Sequence, residues 1–351
     1  MAVNKRVVLR ERPGNDNEPT EDNFAVEECP YPTSVPAHHI LVKTLYLSVD
    51  PYMRCRMNSK TGVTYVSPWQ LGQPADGIGV GVVVESKHSN FTTGDIVTME
   101  NFMWPWQLYV TLPKERLTKI EKSLVGDHYS LVLGVLGLPG LTALLGIREK
   151  GHVVPGTNQT IVVSGAAGAC GSLAGQIARL EGCANVVGIC GSDEKCQYLL
   201  QELGFSGAIN YKTENVQERL LQTCPSGIDI YFDNVGGDLS TVVIKQMKPN
   251  SHIILCGQIA LYNKDVPYPP PIPQDVLDYL QENNITRERY LVLQFREKFP
   301  EALIQLAKWV QAGKLKFPET IAEGIEQTGA AFISMMKGGN LGKQLVRVSD
   351  P

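Results

Sequence analysis

The sequence predicts an α/β protein in which a doubly wound, mostly parallel sheet is joined to a β-rich domain. Three observations carry this prediction. Short apolar runs alternate with segments of helical periodicity between residues 160 and 257. The first of these runs is followed at once by a turn of glycines and alanines, and residues 5–119 show almost no helical pattern. Alternating strands and helices are typical of a parallel sheet, and 351 residues suit about two domains.

The glycine-rich turn is the most informative motif. Residues 160–163 are predicted to be a buried strand, and a helical pattern begins after Cys170. Such a strand–turn–helix unit presents backbone N–H groups and a helix N-terminus to a pyrophosphate. In the G-x-G-x-x-G fingerprint, Ala166 takes the first glycine position, and Gly168 and Gly171 take the other two. The sequence therefore predicts a Rossmann sheet that binds a dinucleotide.

Further strand-and-helix units follow this turn. The later strands are predicted at residues 185–190, 207–211, 228–235, 251–257 and 290–295, and the later helices at 193–203, 214–222, 239–247 and 300–312. Between the fifth and sixth strands, residues 257–273 are too rich in proline for a helix or a central strand. Long irregular loops in compact domains are usually functional or disordered, and the tyrosines and isoleucines of this one favour packing.

Residues 5–119 are predicted to form a separate β-rich domain. Residues 5–10 and 40–49 alternate in polarity. Gly77, Gly79 and Gly81 occupy every second position of another strand, which is typical of a tightly curved barrel. We expect the β-rich domain at 1–129, the dinucleotide-binding domain at 130–313, and a return of the chain to the first domain at 314–351.

Composition narrows the possible functions. The formal net charge of −4 gives no basic field for nucleic acid, and no apolar run is long enough to span a membrane. The N-terminus becomes charged too early for a secretory signal, so we expect a cytoplasmic protein, either a monomer or a homodimer. The eight cysteines are scattered and form no C-x-x-C pair, which predicts buried thiols and no metal site.

The end of the second predicted strand bears on the choice of nicotinamide cofactor. Sites that prefer NAD place a carboxylate there, on the ribose 2′-hydroxyl. Residues 188–192 end this strand without one. Lys195 and Tyr211 could meet a 2′-phosphate instead, although Lys195 could equally be a surface lysine. Asp193 leaves NAD open as the lesser alternative, and NADPH is favoured.

Several motifs resemble the zinc-independent branch of the medium-chain dehydrogenase/reductases, a branch that contains the prostaglandin reductases. They are the Ala-Ala-Gly-Ala-Cys-Gly turn at 166–171, Tyr-Phe-Asp-Asn-Val-Gly-Gly at 231–237 and Cys-Gly-Gln-Ile at 256–259. The segment Leu-Ser-Val-Asp-Pro-Tyr-Met-Arg at 47–54 stands where zinc-dependent relatives place a metal ligand. The resemblance implies a GroES-like catalytic domain and hydride transfer from NADPH to a lipid enone. The expected substrate is a 15-oxoprostaglandin, whose 13,14 double bond becomes single.

The resemblance also implies which residues form the site. The implied cofactor contacts are Gly168, Ala169, Cys170, Gly171, Lys195, Tyr211, Asn234, Cys256, Gly257, Gln258, Ile259, Ala260, Leu261, Tyr262 and Asn340. Tyr65 and Tyr262 would face the substrate. The residues implied to line its lipid tail are Phe102, Met103, Tyr290, Leu291 and Val292.

The chemistry of enone reduction favours a tyrosine donor. Hydride attack places negative charge on the carbonyl oxygen, and a donor held there lowers the barrier. A phenol suits this role because its ordinary pKa near 10 keeps the proton in place at neutral pH. Tyr262 is the first candidate, assisted by the nicotinamide ribose 2′-hydroxyl, and Tyr65 is the second, as donor or pocket wall. Either could also be an ordinary half-buried tyrosine.

Several alternatives stay open at this point. The chain could be a general alkenal or quinone reductase on the same fold, or a protein that binds NADPH without turnover. Arg54 and Arg56 are possible partners for a substrate carboxylate, although Arg56 could equally be a surface charge. Trp104 and Trp106 could line an apolar groove, but we interpret them as core residues.

Overall fold

The structure is a computed structural model, and it describes residues 3–99, 102–267 and 269–351. Its N-terminal part is mainly β-structure, as predicted. The strands of this part are β1 (Asn4–Leu9), β2 (Phe24–Cys29), β3 (His39–Ser48), β4 (Asp76–Gly77), β5 (Gly79–Ser86), β6 (Ile96–Met99), β7 (Trp104–Pro105), β8 (Tyr109–Pro113) and β9 (Leu117–Lys119). The helices here are α1 (Met53–Arg56), α2 (Lys122–Val125) and α3 (Leu138–Lys150).

The glycine positions of β5 explain how the N-terminal sheet curves around its core. A Cβ atom at Gly79 would lie 2.4 Å from the indole of Trp104, and one at Gly81 would lie 2.5 Å from Val42. Trp104 and Trp106 are fully buried, so their interpretation as core residues is confirmed. Alternate glycines therefore admit a large indole where a side chain would collide with it.

The central part contains the predicted doubly wound sheet. All pairings in it are parallel, in the strand order β12–β11–β10–β13–β14–β15. Its strands are β10 (Thr160–Ser164), β11 (Asn185–Cys190), β12 (Gly207–Asn210), β13 (Ile228–Asp233), β14 (Met247–Leu255) and β15 (Thr286–Arg289). Its helices are α4 (Ala169–Glu181), α5 (Asp193–Gln201), α6 (Val216–Thr223), α7 (Gly237–Ile244), α8 (Gln274–Glu282) and α9 (Phe299–Gln311). The strand order reverses between β10 and β13, which is where ligands bind in such sheets.

The sixth strand of this sheet differs from the prediction. It is β15, which pairs Thr286–Arg289 with β14, and not residues 290–295. The chain leaves the sheet at Tyr290 and forms a 3-10 turn over Val292–Lys298. Tyr290 is buried against α3, where Gly146 leaves room for its ring. The apolar run marks a core contact rather than a strand.

The C-terminal segment joins the N-terminal sheet. It contains β16 (Glu319–Glu323), α10 (Thr328–Met336) and β17 (Lys343–Arg347). β17 lies between β16 and β3 in the larger sheet. Just before it, the N–H of Gly342 donates to the carbonyl of Ala167 at 2.7 Å, which fastens this segment to the glycine turn. The predicted domain boundaries stay a prediction. Within the described residues, no helix is both long and apolar enough to cross a bilayer.

Candidate functional site

The glycine turn has the geometry that a pyrophosphate needs. Gly168 is the residue before α4, and no side chain caps the first N–H groups of this helix. A Cβ atom at Gly171 would lie 2.3 Å from the carbonyl oxygen of Gly165, so only glycine allows the turn and helix to pack this closely. Gly165 itself has a φ of +58°. Uncapped N–H groups and the positive end of a 13-residue helix fit the phosphates of a dinucleotide.

A second part of the site lies at the tip of β11. Ser192 caps α5, and the ammonium of Lys195 donates to the carbonyl of Gly338 at 2.6 Å. Burial and the neighbouring Lys212 lower the pKa of Lys195. The carboxylate of Asp193 accepts a hydrogen bond from the Asn210 amide at 2.7 Å, so it has a structural role at this corner. The two lysines fit a 2′-phosphate, and sequence reasoning missed Lys212.

The remaining residues predicted for the cofactor follow the carboxyl ends of β13 and β14. The Asn234 amide donates to the carbonyl of Ser164 at 2.8 Å, which ties the end of β13 to the end of β10. The carbonyl of Asn234 accepts from the N–H of Ile259 at 3.3 Å, in the loop after β14. Asn340 donates to the carbonyl of Gly342 at 2.7 Å beside the glycine turn. These contacts gather segments that are distant in sequence at one edge of the sheet.

A cleft lies between this edge and the N-terminal part of the chain. Its empty volume, including the part open to solvent, is about 600 Å³. Tyr65 and Tyr262, the two tyrosines predicted to face the substrate, both line it, together with Tyr52. The other lining residues are Cys55, Asn58, Thr61, Val63, Leu261, Lys264, Val266, Pro267 and Pro270. Tyr268 of the proline-rich loop is outside the described residues.

The phenol of Tyr262 lies above the backbone of the loop that follows β14. The N–H of Gln258 donates to its oxygen at 3.4 Å, and a Cβ atom at Gly257 would be 3.3 Å from the same oxygen. A hydrogen bond that a phenol oxygen accepts strengthens the bond that the hydroxyl donates, because the two polarise each other. The position therefore suits a hydrogen-bond donor at the wall of the cleft.

Tyr52 is a cleft residue that sequence reasoning missed. Its hydroxyl is buried and has no hydrogen-bond partner among the described residues. Burial, followed by the charge of Asp50, raises its pKa well above the ordinary value, so the phenol stays protonated. The ring borders the cleft, but the hydroxyl is enclosed by the protein, where a Cβ atom at the buried Gly77 would lie 3.7 Å from it. The one signal was its place in the motif at 47–54, where zinc-dependent relatives are expected to hold a metal ligand.

The residues predicted to line the lipid tail are not among the described residues that line this cleft. Phe102 is buried, and its ring packs edge-on against Tyr52 with centroids 5.4 Å apart. Met103 is 45% exposed, and its sulfur accepts from Arg116. Tyr290 and Val292 belong to the core beside α3, with Leu291 between them partly buried. Phe102 therefore packs against Tyr52, a residue that lines the cleft, and does not line the cleft itself.

The two arginines considered as carboxylate partners are both committed elsewhere. Arg54 is fully buried and donates to Asn263, Asn58 and two backbone carbonyls. Arg56 forms an ion pair with Asp76 and donates to the carbonyl of Phe102 at 3.1 Å. Arg56 is therefore not a surface charge, because its side chain is only 5% exposed. Neither guanidinium is open to a substrate.

Two of the eight cysteines lie close together in the central sheet region. Cys190 and Cys196 have their sulfur atoms 3.3 Å apart, and burial raises the pKa of Cys196 to about 12. All eight cysteines are free. Across the described part of the chain, no three His, Cys, Asp or Glu side chains come together as a metal-binding group.

The similarity of the chain to known proteins shows its family. The chain belongs to the medium-chain dehydrogenase/reductase family, in its zinc-independent, NADPH-dependent enone and quinone reductase type. The sequence profile described as the N-terminal domain of oxidoreductase matches residues 5–120. The profile described as zinc-binding dehydrogenase matches residues 169–309. The predicted α/β fold and the predicted cofactor, NADPH, are confirmed.

Similar proteins are known along the whole chain. YfmJ of Bacillus subtilis, described as an NADP-dependent oxidoreductase, is 42% identical over 100% of this chain and 99% of its own. Prostaglandin reductase 1 of Rattus norvegicus is 40% identical, covering 94% of this chain and 95% of its own. The crystal structure of CurA from Vibrio vulnificus in complex with NADPH superposes with a TM-score of 0.88 at 33% identity, covering 99% of this chain and 100% of that one.

Proposed function

We propose that the chain reduces the 13,14 double bond of 15-oxoprostaglandins such as 15-oxoprostaglandin E2, the activity of a prostaglandin reductase of type 2. The products would be the 13,14-dihydro-15-oxo compounds. The observation that carries this proposal is the composition of the cleft. Three tyrosines meet apolar residues there, and Lys264 is its one charged lining residue among those described. A long apolar enone with a carboxylate complements such a surface.

The chain's own residues have a defined part in this reaction. NADPH, when bound, supplies the hydride that attacks the carbon β to the ketone. The hydroxyl of Tyr262 would donate to the ketone oxygen as its negative charge grows, and Tyr65 is the second candidate for this role. Losing one such donor typically costs about 3 kcal/mol of barrier. The α carbon then takes a proton, which we assign to water because no acidic side chain among the described residues lines the cleft.

The second candidate is a general alkenal or quinone reductase. A relative at 35% identity is the NADPH-dependent curcumin reductase of Escherichia coli, which covers 99% of this chain. Curcumin carries no carboxylate, so a family member of this kind does not require an anionic substrate. The tyrosines of the cleft do not distinguish the two candidates, because a phenol can donate to the carbonyl oxygen of any enone. The two candidates differ in the use of Lys264.

A comparison of substrates tests the proposal. The oxidation of NADPH is measured with 15-oxoprostaglandin E2, its methyl ester, a short 2-alkenal and a quinone. We expect the free acid to give the highest kcat/KM, exceeding that of the ester by up to about fivefold, because the Lys264 ammonium is exposed and an exposed charge pair contributes about 0.2–1 kcal/mol. Lys264→Ala should abolish that preference, with the ester unaffected. Equal rates for acid and ester would favour the general reductase, and no turnover of any substrate would favour a protein that only binds NADPH.

A further inference from the structure

A buried guanidinium joins the loop of Tyr262 to the N-terminal part of the chain. Arg54 is 0% exposed. Its Nε donates to Oδ1 of Asn263 at 2.8 Å, and Asn263 directly follows Tyr262. Its Nη1 donates to Oδ1 of Asn58 at 2.8 Å. Its Nη2 donates to the carbonyls of Gly14 and Asn17 at 2.7 and 2.9 Å. One side chain thereby holds three separate segments.

All four acceptors of this guanidinium are neutral. Within the described ranges, no carboxylate lies within ion-pair distance of Arg54, and burial lowers its pKa. Removing a charge from water without an opposite charge beside it is costly. An apolar side chain of similar volume would fill the same space at a lower desolvation cost. The stability of the fold alone therefore does not account for an arginine here.

The fork of the guanidinium explains why arginine is used. Its donors have a fixed planar geometry, so acceptors on different segments are held at fixed positions relative to one another. Asn263 is the one acceptor on the loop after β14. A second tie runs alongside, since the N–H of Asp265 donates to Asp16 at 3.0 Å. The loop that carries Tyr262 is therefore anchored immediately after that residue.

We propose that Arg54 is a positioning residue for the reduction: through Asn263 it fixes the phenol of Tyr262 in the cleft. This inference rests on the proposed role of Tyr262 as donor. Reaction rates are sensitive to such placement, because a displacement of about 1 Å can cost 100-fold in rate. Arg54 itself does not bind the substrate, because its side chain is fully buried and four of its five N–H donors are used by these acceptors.

The test uses the full-length protein and substitutes Asn263, which is partly exposed and leaves the buried arginine in place. We expect Asn263→Ala to lower kcat for an enone by roughly 10- to 100-fold, with KM for NADPH within twofold. Asn263→Asp keeps an acceptor for Nε and should retain most of the rate. The matched control is Asn15→Ala, which removes an exposed 3.4 Å bond to Asp265 at the same junction and should leave kcat unchanged.

A double variant separates positioning from general loosening. If Asn263 acts through Tyr262, Asn263→Ala should lower kcat less than twofold further in the Tyr262→Phe background. Fully multiplicative losses, or a wild-type rate for Asn263→Ala, would overturn the inference. A wild-type rate for Tyr262→Phe would instead overturn the donor role, and absence of enone turnover by the unmodified protein would overturn the proposed function.

Discussion

At the scale of single residues, the cleft is lined by three tyrosines, of which Tyr262 is the proposed hydrogen-bond donor. Tyr65 and Tyr262 were found from the resemblance to a family, and both line the cleft. Tyr52 was not predicted, because burial and an unsatisfied hydroxyl are properties of the folded chain. Its pKa, raised first of all by burial, keeps the phenol protonated inside the protein. The two candidate donors, Tyr262 and Tyr65, can be ranked by substitution.

The first prediction concerns Tyr262→Phe. Removing the hydroxyl should lower kcat for an enone by about 100-fold, because one lost donor to a developing oxyanion costs about 3 kcal/mol. The Kd of NADPH should change less than twofold. Stopped-flow absorbance measures the rate, and fluorescence titration measures the binding. Tyr279→Phe is the matched control, because the hydroxyl of Tyr279 on α8 donates to the carbonyl of Met247 in β14, and its loss should affect stability only. A rate loss in that control equal to the one in Tyr262→Phe would contradict the assignment.

A second prediction concerns Lys195 and the choice of cofactor. Lys195→Ala should raise KM for NADPH by about 10- to 100-fold, since a charge-assisted hydrogen bond to phosphate contributes about 1.5–3 kcal/mol. KM for NADH should change little, because NADH has no 2′-phosphate. Initial rates with both cofactors give the comparison, and the exposed Lys308 on α9 supplies the control substitution. Equal losses for both cofactors would argue against a 2′-phosphate at this corner.

At the scale of elements, the sequence predicted the doubly wound sheet well and its last strand badly. Periodicity locates β10 to β14 because each is a short apolar run between helical segments. β15 is polar and mostly exposed, with Thr286, Glu288 and Arg289 at the surface, so it lacks the apolar signal of a strand. The apolar run after it packs against α3 instead. A polar edge strand resembles a loop in sequence, and an apolar turn that packs on the core resembles a strand, so periodicity alone misplaces both.

The glycine turn gives a prediction at this scale. A Cβ atom at Gly171 would meet two backbone atoms within 2.8 Å, whereas one at Gly168 would meet a single oxygen at 3.2 Å. Gly171→Ala must therefore displace α4 from the turn, and we expect NADPH binding to weaken at least tenfold. Gly168→Ala should weaken it less. Titration calorimetry measures both. Indistinguishable affinities for the two variants would show that the close approach at Gly171 does not matter.

At the scale of the whole molecule, the site depends on contacts between distant parts of the chain. The cleft combines residues 52–65 with residues 261–270, and Arg54 bridges them. Sequence patterns locate each segment but carry no distance between them, so Arg54 and Arg56 were first considered as substrate ligands. In the structure both guanidiniums are internal ties. Arg54 joins the two parts of the cleft, whereas Arg56 ties residues of the N-terminal part to one another.

The stability of the whole molecule should depend on pH through a histidine pair at the edge of the six-stranded sheet. The rings of His152 and His252 are tilted by 36° with centroids 4.2 Å apart, and Nδ1 of His252 shares a hydrogen bond with Thr286 at 2.7 Å. Burial, followed by the neighbouring His152, lowers the pKa of His252 from its ordinary 6.5, while Glu288 acts in the opposite direction. The unfolded chain therefore binds a proton at a pH where the folded chain does not.

The sign of the effect follows from this difference. Stability should be highest above pH 6.5, decline as the pH falls below that value, and stop declining once the pH is below the lowered folded-state pKa. Thermal unfolding between pH 5.2 and 7.5, in steps of about 0.3 units, should show a decrease in Tm on the order of 1–2 °C. His252→Asn should flatten the curve in this window, whereas His128→Gln, at an exposed position, should not. The neighbouring Glu288 does not titrate in this pH range, because its ion pair with Lys150 lowers the pKa of its carboxylate from 4.5. An unchanged slope in His252→Asn would therefore assign the pH dependence to groups outside this pair.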